Sequence, residues 1–367
     1  MRIAMLANAD SIHTIRWANA LAERRAEVHL FSVHSFGAAL VAAVHRHKLA
    51  VPAPWGYLLA GRELRRRLDE VQPSLLHAHY ASGYGTLARR SGFRPLVLSV
   101  WGSDVYDFPY TSRLHRSLIQ NNLRHADTLC STSHVMAEQC RRLCPELRDI
   151  CVTPFGVDVD RFRPMNRHAD NGTITIGTVK TLSPKYGIDA LIRGFATCRR
   201  SLWQQWPKLA ECLRLRIVGG GPQRPALEKI SHDEGVSAVT TFVGAVPHDT
   251  IPRELNRLDI YVAMSRLDSE SFGVAVVEAS ACGLPVVVSD AGGLPEVVVD
   301  GTTGFVVPRD DPRALATSLQ QLILNAGLQS AMGTAGRRFV VKNYDWTENV
   351  ARMEAVYAKT LAMRAAA

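Results

Sequence analysis

The chain alternates short apolar runs with helical patterns along its whole length, and this constrains its fold more than any other feature. "RIAMLA" (2–7), "EVHLFSV" (27–33), "SLLHAH" (74–79) and "PLVLSV" (95–100) have the length and content of buried strands. Between them stand amphipathic stretches such as "TIRWANALAERR". Buried strands alternating with helices predict a parallel sheet covered on both faces. A second series begins at "TITIGTV" (173–179) and runs through "LRLRIVGGG" (213–221), "VTTFVGAV" (239–246), "LDIYVAMS" (258–265), "LPVVVSD" (284–290) and "GFVVP" (304–308). A chain of 367 residues exceeds the usual reach of one core, so two doubly wound α/β domains in tandem are expected. The polar, turn-rich "FRPMNRHADNGT" (162–173) is the expected link, giving domains of 1–165 and 166–345. A terminal helix over about 346–364 is expected to pack back on the first domain. Ligands of such sheets bind beyond the carboxyl ends of the strands, so the expected site is the cleft between two facing domains.

Composition excludes several classes. No apolar run is long enough to cross a bilayer, and "MRIAMLANAD" turns polar too soon for a secretory signal, so a cytoplasmic protein is expected. The seven cysteines are odd in number and scattered without CxxC pairs, which favours reduced, buried thiols over disulfides or zinc. Residues 1–165 carry 21 Lys and Arg against 14 Asp and Glu, a balance of +7 out of the total +9, and 10 of the 13 histidines. Such a half suits a phosphate-bearing partner or an anionic membrane, or simply presents a solvated basic face. Residues 36–67 add aromatic groups among His45, Arg46, His47, Lys48 and Arg62 to Arg67; they read as an interfacial segment or as a loop and helix packed on the domain. No nucleic-acid partner is expected.

The stretch "ESFGVAVVEASACGLPVVVSD" (270–290) places two carboxylates around apolar core. Glu270 falls in the loop after the strand "DIYVAMS". Ser271, Phe272 and Gly273 would offer backbone N–H groups at a helix start, an anion site into which glycine lets a phosphate approach. Glu278 lies one to two turns into that helix, where a carboxylate can accept two ribose hydroxyls. The alternative is that Glu270 caps the helix and Glu278 pairs with a nearby base.

This stretch resembles the signature of the retaining glycosyltransferases of family 4, which have the GT-B fold: two glutamates seven residues apart around Phe-Gly, then an apolar helix and G-x-P-V-V. Glu270, Phe272, Gly273, Glu278, Gly283, Pro285, Val286 and Val287 match it. "FGVDVDRFRP" (155–164), with Phe155 where the family has Asn, "GTVKTLSPKYGIDALI" (177–192), "IVGGGP" (217–222), "FVGAV" (242–246) and "GGLPEVVVDGTTGFVVPRDD" (292–311) extend the likeness over most of the chain. The resemblance implies that the second domain binds a UDP- or GDP-linked sugar. Lys180 and Lys185 would neutralise the diphosphate, Lys180 standing where the family often has Arg. Glu270 would hold the donor sugar and Glu278 the ribose. Gly219 and Gly220 would close over the nucleotide, Phe242 and Val243 would border the base, and Gly293 and Leu294 would border the same pocket.

The first domain departs further from the pattern. "NADSIHT" (8–14) replaces a glycine-rich loop, so Ser11 and His13 would act through their side chains. Of His77 and His79 in "LLHAHYASGYG", His79 is expected to face the site. "SVWGSDVY" (99–106) puts Trp101 where relatives have a histidine that touches the donor sugar, while Asp104 keeps the acidic position, as an acceptor contact or as a turn residue. The mechanism implied is same-face transfer in which the leaving diphosphate takes the acceptor's proton. No metal and no cofactor beyond the donor are required, and the "DVD" at 158–160 reads as structural. The resemblance points to a lipid-linked or growing saccharide acceptor in cell-surface polysaccharide or glycoconjugate assembly, with the enzyme peripheral at the inner membrane face, and a soluble small-molecule acceptor is the alternative. Two rivals stand beside this: a non-catalytic nucleotide-sugar-binding subunit, and a nicotinamide-dependent oxidoreductase, which the missing G-x-G-x-x-G after the first strand disfavours.

Overall fold

The computed structural model describes residues 1–147, 149–165 and 172–365. Half of the expected link, 166–171, lies outside the described residues. The chain forms two compact units, Met1–Pro154 with Thr347–Ala367 and Phe155–Trp346.

In the first unit, seven parallel strands stand in the order β3-β2-β1-β4-β5-β6-β7. They are β1 (Arg2–Leu6), β2 (Glu27–Ser32), β3 (Val44–Lys48), β4 (Leu75–His79), β5 (Leu96–Val100), β6 (Thr128–Ser131) and β7 (Ile150–Val152). β4 and β5 are buried at every position, as continuous apolar runs in a two-faced sheet should be. β3, β6 and β7 do not stand among the four expected strands. β6 and β7 have four and three residues, and β3 reads "VHRHK", an outer strand largely turned to solvent, so neither length nor apolar content announces them. Part of the 36–67 segment is therefore sheet. The terminal helix, Trp346–Ala365, belongs to this unit from Thr347 onward. Tyr357 Oη lies 2.7 Å from His77 Nδ1, Thr360 Oγ1 lies 2.7 Å from Thr128 Oγ1, and Glu354 pairs with Arg24.

In the second unit, six parallel strands stand in the order β10-β9-β8-β11-β12-β13. They are β8 (Ile174–Val179), β9 (Leu213–Val218), β10 (Thr240–Gly244), β11 (Ile260–Ala263), β12 (Val286–Ser289) and β13 (Gly304–Val307), one for each expected run. The helix Ile188–Gln205 turns Leu191, Ile192, Phe195, Cys198 and Leu202 inward at three- to four-residue spacing. It packs against Pro312–Leu324, so closely that a Cβ at Gly194 would meet Leu315 Cδ2 at 2.5 Å. In each sheet the strand order reverses once, between β1 and β4 and between β8 and β11. The loops leaving those carboxyl ends are where a doubly wound sheet opens a ligand crevice.

Candidate active site

In the second unit the reversal point carries charge. Lys180 follows the last residue of β8, and Glu270 lies in the loop between β11 and the helix Val274–Ala281. Lys180 Nζ donates to Glu270 Oε1 at 3.0 Å, and Ser265 Oγ donates to Oε2 at 3.4 Å. Burial works most strongly against the ammonium, but Glu270 together with Tyr261 and Tyr186 outweighs it and holds the Lys180 pKa above its ordinary value. The Tyr186 ring faces the same cation, 4.5 Å from Nζ, and burial pushes the neighbouring Tyr261 phenol up to about 12. Glu270 is nearly buried, whereas Lys180 keeps 19% of its side chain exposed, so an incoming anion can reach the cation. Lys185 Nζ donates to the Ser269 carbonyl at 2.8 Å and lies 5.6 Å from the Tyr186 ring.

The backbone around this pair permits no side chain at Gly219, Gly292 and Gly293, where a Cβ would stand 2.3 Å or less from a carbonyl oxygen. Gly293 N–H donates to the Glu270 carbonyl at 2.9 Å, and a Cβ on Gly293 would stand 2.2 Å from the Ser271 carbonyl oxygen. Gly219, at φ 144°, runs so close to the start of the Lys180 loop that its Cβ would lie 1.9 Å from the Lys180 oxygen. Gly220 follows it, beside Ala245.

Among the other expected residues, Gly273 precedes the helix and Leu294 is buried beneath it, 2.6 Å from where a Gly273 Cβ would be. Phe272 is 3% exposed and packs edge-on against Phe155 and Tyr344. It is a core aromatic that steadies the loop. Ser271 is buried between Glu270 and Phe272. Glu278 is the fifth residue of the helix, nearly buried, with His248 Nε2 3.6 Å from its Oε1. Phe242 and Val243 are half-buried in the outer strand β10. Lys180, Lys185, Glu270 and Gly219–Gly220 therefore gather at the carboxyl ends of β8, β9 and β11, with Glu278 one helix turn further. Tyr186, Ser265 and His248 were missed. Tyr186 directly follows Lys185, and Ser265 closes the β11 run "IYVAMS", so neighbourhood to a named residue was the available signal.

In the first unit the reversal point is neutral. A cavity of about 670 Å³ is lined by Ser11, Tyr57, His79, Tyr84, Trp101 and Leu114, among others. His79 is buried, its ring 4.4 Å from those of Trp101 and His77, and neither of its nitrogens has a hydrogen-bond partner among the described residues. Burial drives its pKa well down, aided by His77. His77 is fixed by Tyr357 and by Ser99 Oγ at 2.8 Å, and burial pushes it down to about 3. His13 meets Trp101 edge-on at 5.9 Å. Asp104 is buried with its carboxylate turned to backbone: Oδ2 accepts from Ala81 N–H at 2.7 Å, Oδ1 from Gly102 and Trp101 at 2.9 and 3.2 Å. Of the two roles open to Asp104, this is the geometry of a turn residue that ties the loops after β4 and β5. Asp158 Oδ1 likewise accepts from the Asp160 and Arg161 N–H groups, closing a turn.

Comparison with solved structures gives the class. The chain aligns over 99% of its length with all of sucrose-phosphate synthase from Thermosynechococcus elongatus, at TM-score 0.81 and 20% identity. It aligns over 98% with all of Anabaena HepE in complex with UDP, at TM-score 0.80 and 19% identity. The fold is GT-B. Sequence comparison then gives the family. Residues 160–339 match the glycosyl transferases of group 1, and residues 2–133 match the glycosyl transferase 4-like domain. The GDP-mannose-dependent alpha-(1-6)-phosphatidylinositol monomannoside mannosyltransferase of Mycolicibacterium smegmatis is 32% identical over 283 residues, 73% of this chain and 71% of the relative. Its Mycobacterium tuberculosis namesake is 32% identical over 213 residues, about half of either chain (54% and 53%). A D-inositol 3-phosphate glycosyltransferase of Streptomyces scabiei is 28% identical over 78% of this chain. The chain belongs to the group 1, family 4 glycosyltransferases.

Proposed function

We propose that this glycosyltransferase moves a sugar from a nucleoside diphosphate donor to a saccharide acceptor with retention at the anomeric carbon. The observation that carries the reading is the buried Lys180–Glu270 pair at the reversal point of the second sheet. Lys180 and Lys185 would take the diphosphate, whose charge grows as it leaves, and that growth is what a preorganised cation stabilises. Glu270 would accept hydroxyls of the donor sugar and Glu278 those of the ribose, with Phe242 and Val243 beside the base and Leu294 and Gly293 at the pocket wall. The leaving diphosphate would take the acceptor's proton on the same face, and no metal enters. GDP-mannose is the first donor to try, because two relatives at 32% identity bear its name.

The acceptor reading rests on the first unit's cavity, which carries no Asp, Glu, Lys or Arg and several aromatic groups (Tyr57, Tyr80, Tyr84, Trp101 and Phe108), and suits a sugar or a lipid-linked sugar. Trp55 and Leu59, 66% and 64% exposed, stand beside the helix Gly61–Val71, which carries Arg62, Arg65, Arg66 and Arg67. We read this face as one that meets an anionic membrane surface from the cytoplasmic side. The attraction is smaller than the sequence suggests, since Arg65, Arg66 and Arg67 pair with Asp69, Glu70 and Glu63 on the same helix.

The test is turnover of GDP- and UDP-sugars with inositol-lipid and oligosaccharide acceptors, with the product's anomeric configuration read by NMR. Release of nucleoside diphosphate with an axial, retained linkage, insensitive to chelator, is the expected result. An inverted product or strict dependence on added divalent metal contradicts the mechanism. Tight donor binding without turnover of any acceptor would favour the non-catalytic subunit.

A further inference from the structure

On the first unit's outer strands, alternate residues set four metal-binding side chains on one face. β2 contributes Glu27 and His29, and β3 contributes His45 and His47. The strands are parallel, with His29 opposite His45 and Phe31 opposite His47. Residues two apart on a strand share a face, and partners in register stand side by side, so E-x-H beside H-x-H makes a compact cluster from spacing alone. We propose that Glu27, His29 and His45 form a three-ligand site for a borderline divalent cation of the zinc class.

One ligand atom from each of these residues can be chosen so that all three lie within 4.8 Å of one another. Atoms bound tetrahedrally to one zinc at about 2.0–2.2 Å stand about 3.4 Å apart, so closure needs the furthest pair to approach by up to about 1.4 Å. The groups that must move are free to do so: Glu27 and His45 are exposed, while His29 is buried and fixed. His29 Nε2 already points at Glu27 Oε1, 3.1 Å away. Its other nitrogen, Nδ1, lies 2.9 Å from His47 Nε2, and His47 is itself stacked on Phe31 at 4.4 Å. With the proton on Nδ1 donated to His47, the Nε2 lone pair of His29 is turned to the cation. That bond orients the ring as an outer partner does for a metal-bound imidazole, with the His47 nitrogen in place of the usual carboxylate or carbonyl. The His29 and His45 rings stack at 4.6 Å, so His45 is already on the right face. The competing group is Arg2, whose Nε lies 2.9 Å from Glu27 Oε1, but both side chains are about two-fifths exposed and such a pair contributes little.

Two imidazoles and one carboxylate suit zinc, cobalt or nickel better than the hard cations magnesium and calcium, and three protein ligands leave a position for water. The site would fasten the outer strand β3 to β2. It has no part in the transfer proposed above and stands or falls independently of it.

The experiment uses the untagged full chain, stripped with chelator and titrated with Zn²⁺ and with Co²⁺. The expected result is one tight equivalent of Zn²⁺ that raises the Tm and competes with Co²⁺, whose visible spectrum lacks the thiolate charge-transfer band that cysteine ligation would give. His45→Ala and Glu27→Gln change exposed side chains, should leave the metal-free Tm unchanged, and should each weaken binding at least tenfold; exposed His232→Ala should not. Calorimetry that finds equal affinity in wild type, His45→Ala and Glu27→Gln, or no stoichiometric Zn²⁺ at all, overturns the proposal, as does a thiolate band.

Discussion

The two sheets share a topology and a reversal point, yet the second fills that point with a cation and a carboxylate and the first with imidazoles, indole and phenols. Topology fixes where a ligand crevice opens; the residues there decide what it can hold. Burying Lys180 and Glu270 together costs desolvation that consumes much of their attraction, so such a pair is poor evidence of stability and better evidence of a charged ligand. The first unit's reversal point instead sets neutral groups at its cavity, with His77 hydrogen-bonded at both nitrogens and His79 against Trp101, while the buried Asp104 carboxylate is turned to backbone N–H groups. A neutral acceptor can bind there without leaving a charge stranded.

The sharpest way to break the contrast is to remove the charge. If Glu270 contacts the reacting sugar and Glu278 the ribose, as proposed, Glu270→Ala should lower kcat by about 10²–10³, whereas Glu278→Ala should mainly raise the donor KM. Steady-state kinetics with varied donor separates them, and equal effects would erase the distinction between the two carboxylates. Lys180→Met leaves Glu270 unpaired and should destabilise the second unit by about 3 kcal/mol, the lower end for a broken buried pair because Lys180 is partly exposed. Lys180→Met combined with Glu270→Gln should recover most of that stability in urea melts and none of the activity.

Acid and alkali should then act on different units. The pKa of His77 is depressed to about 3, against about 6.5 in an unfolded chain, so below pH 6.5 the unfolded state binds the extra proton. His79 shifts in the same direction. Stability of the first unit should fall progressively as pH drops from about 6.5 towards 3. The raised Lys180 pKa has the opposite consequence: its contribution is complete below about pH 10.4, the unfolded value, and is lost as pH rises through the higher folded value. Unit-resolved hydrogen exchange across pH reads both, and acid loss confined to the second unit would contradict the assignment.

Legibility also differed between the units. All six strands of the second were evident as runs: β11 and β12 are buried at every position and so apolar throughout, while β9 and the outer β10 keep enough apolar residues beside Arg and Thr to stand out. Of the first unit's seven, β3 escaped because an outer strand tolerates "VHRHK", and β6 and β7 because they are too short to stand out. Motif spacing located Lys180, Lys185, Glu270 and Glu278, but not that Lys180 and Glu270 pair, since contact across 90 residues depends on which strands are neighbours. Likewise no local pattern tells that Asp104 spends its carboxylate on the backbone of two loops.

The smallest expected effect lies on the first unit's outer face. Changing Arg65, Arg66 and Arg67 to Glu should reduce flotation with anionic liposomes at low salt by less than the roughly 1 kcal/mol per basic group expected of unpaired residues, given their partners on the helix. Trp55→Ala, which removes an exposed aromatic group, should reduce flotation at any salt. A wild type that ignores such liposomes at low salt would leave a soluble acceptor.

The central claim is that the nucleotide part of the donor belongs to the charged point of the second unit and not to the neutral one of the first. Calorimetric titration with GDP and with UDP, which carry no sugar, tests it for wild type, Lys180→Met, Glu278→Gln and Trp101→Phe. The account predicts at least tenfold weaker binding of the preferred nucleotide in the two second-unit variants and a change under about threefold in Trp101→Phe; a loss confined to Trp101→Phe, with the other two binding like wild type, would contradict it.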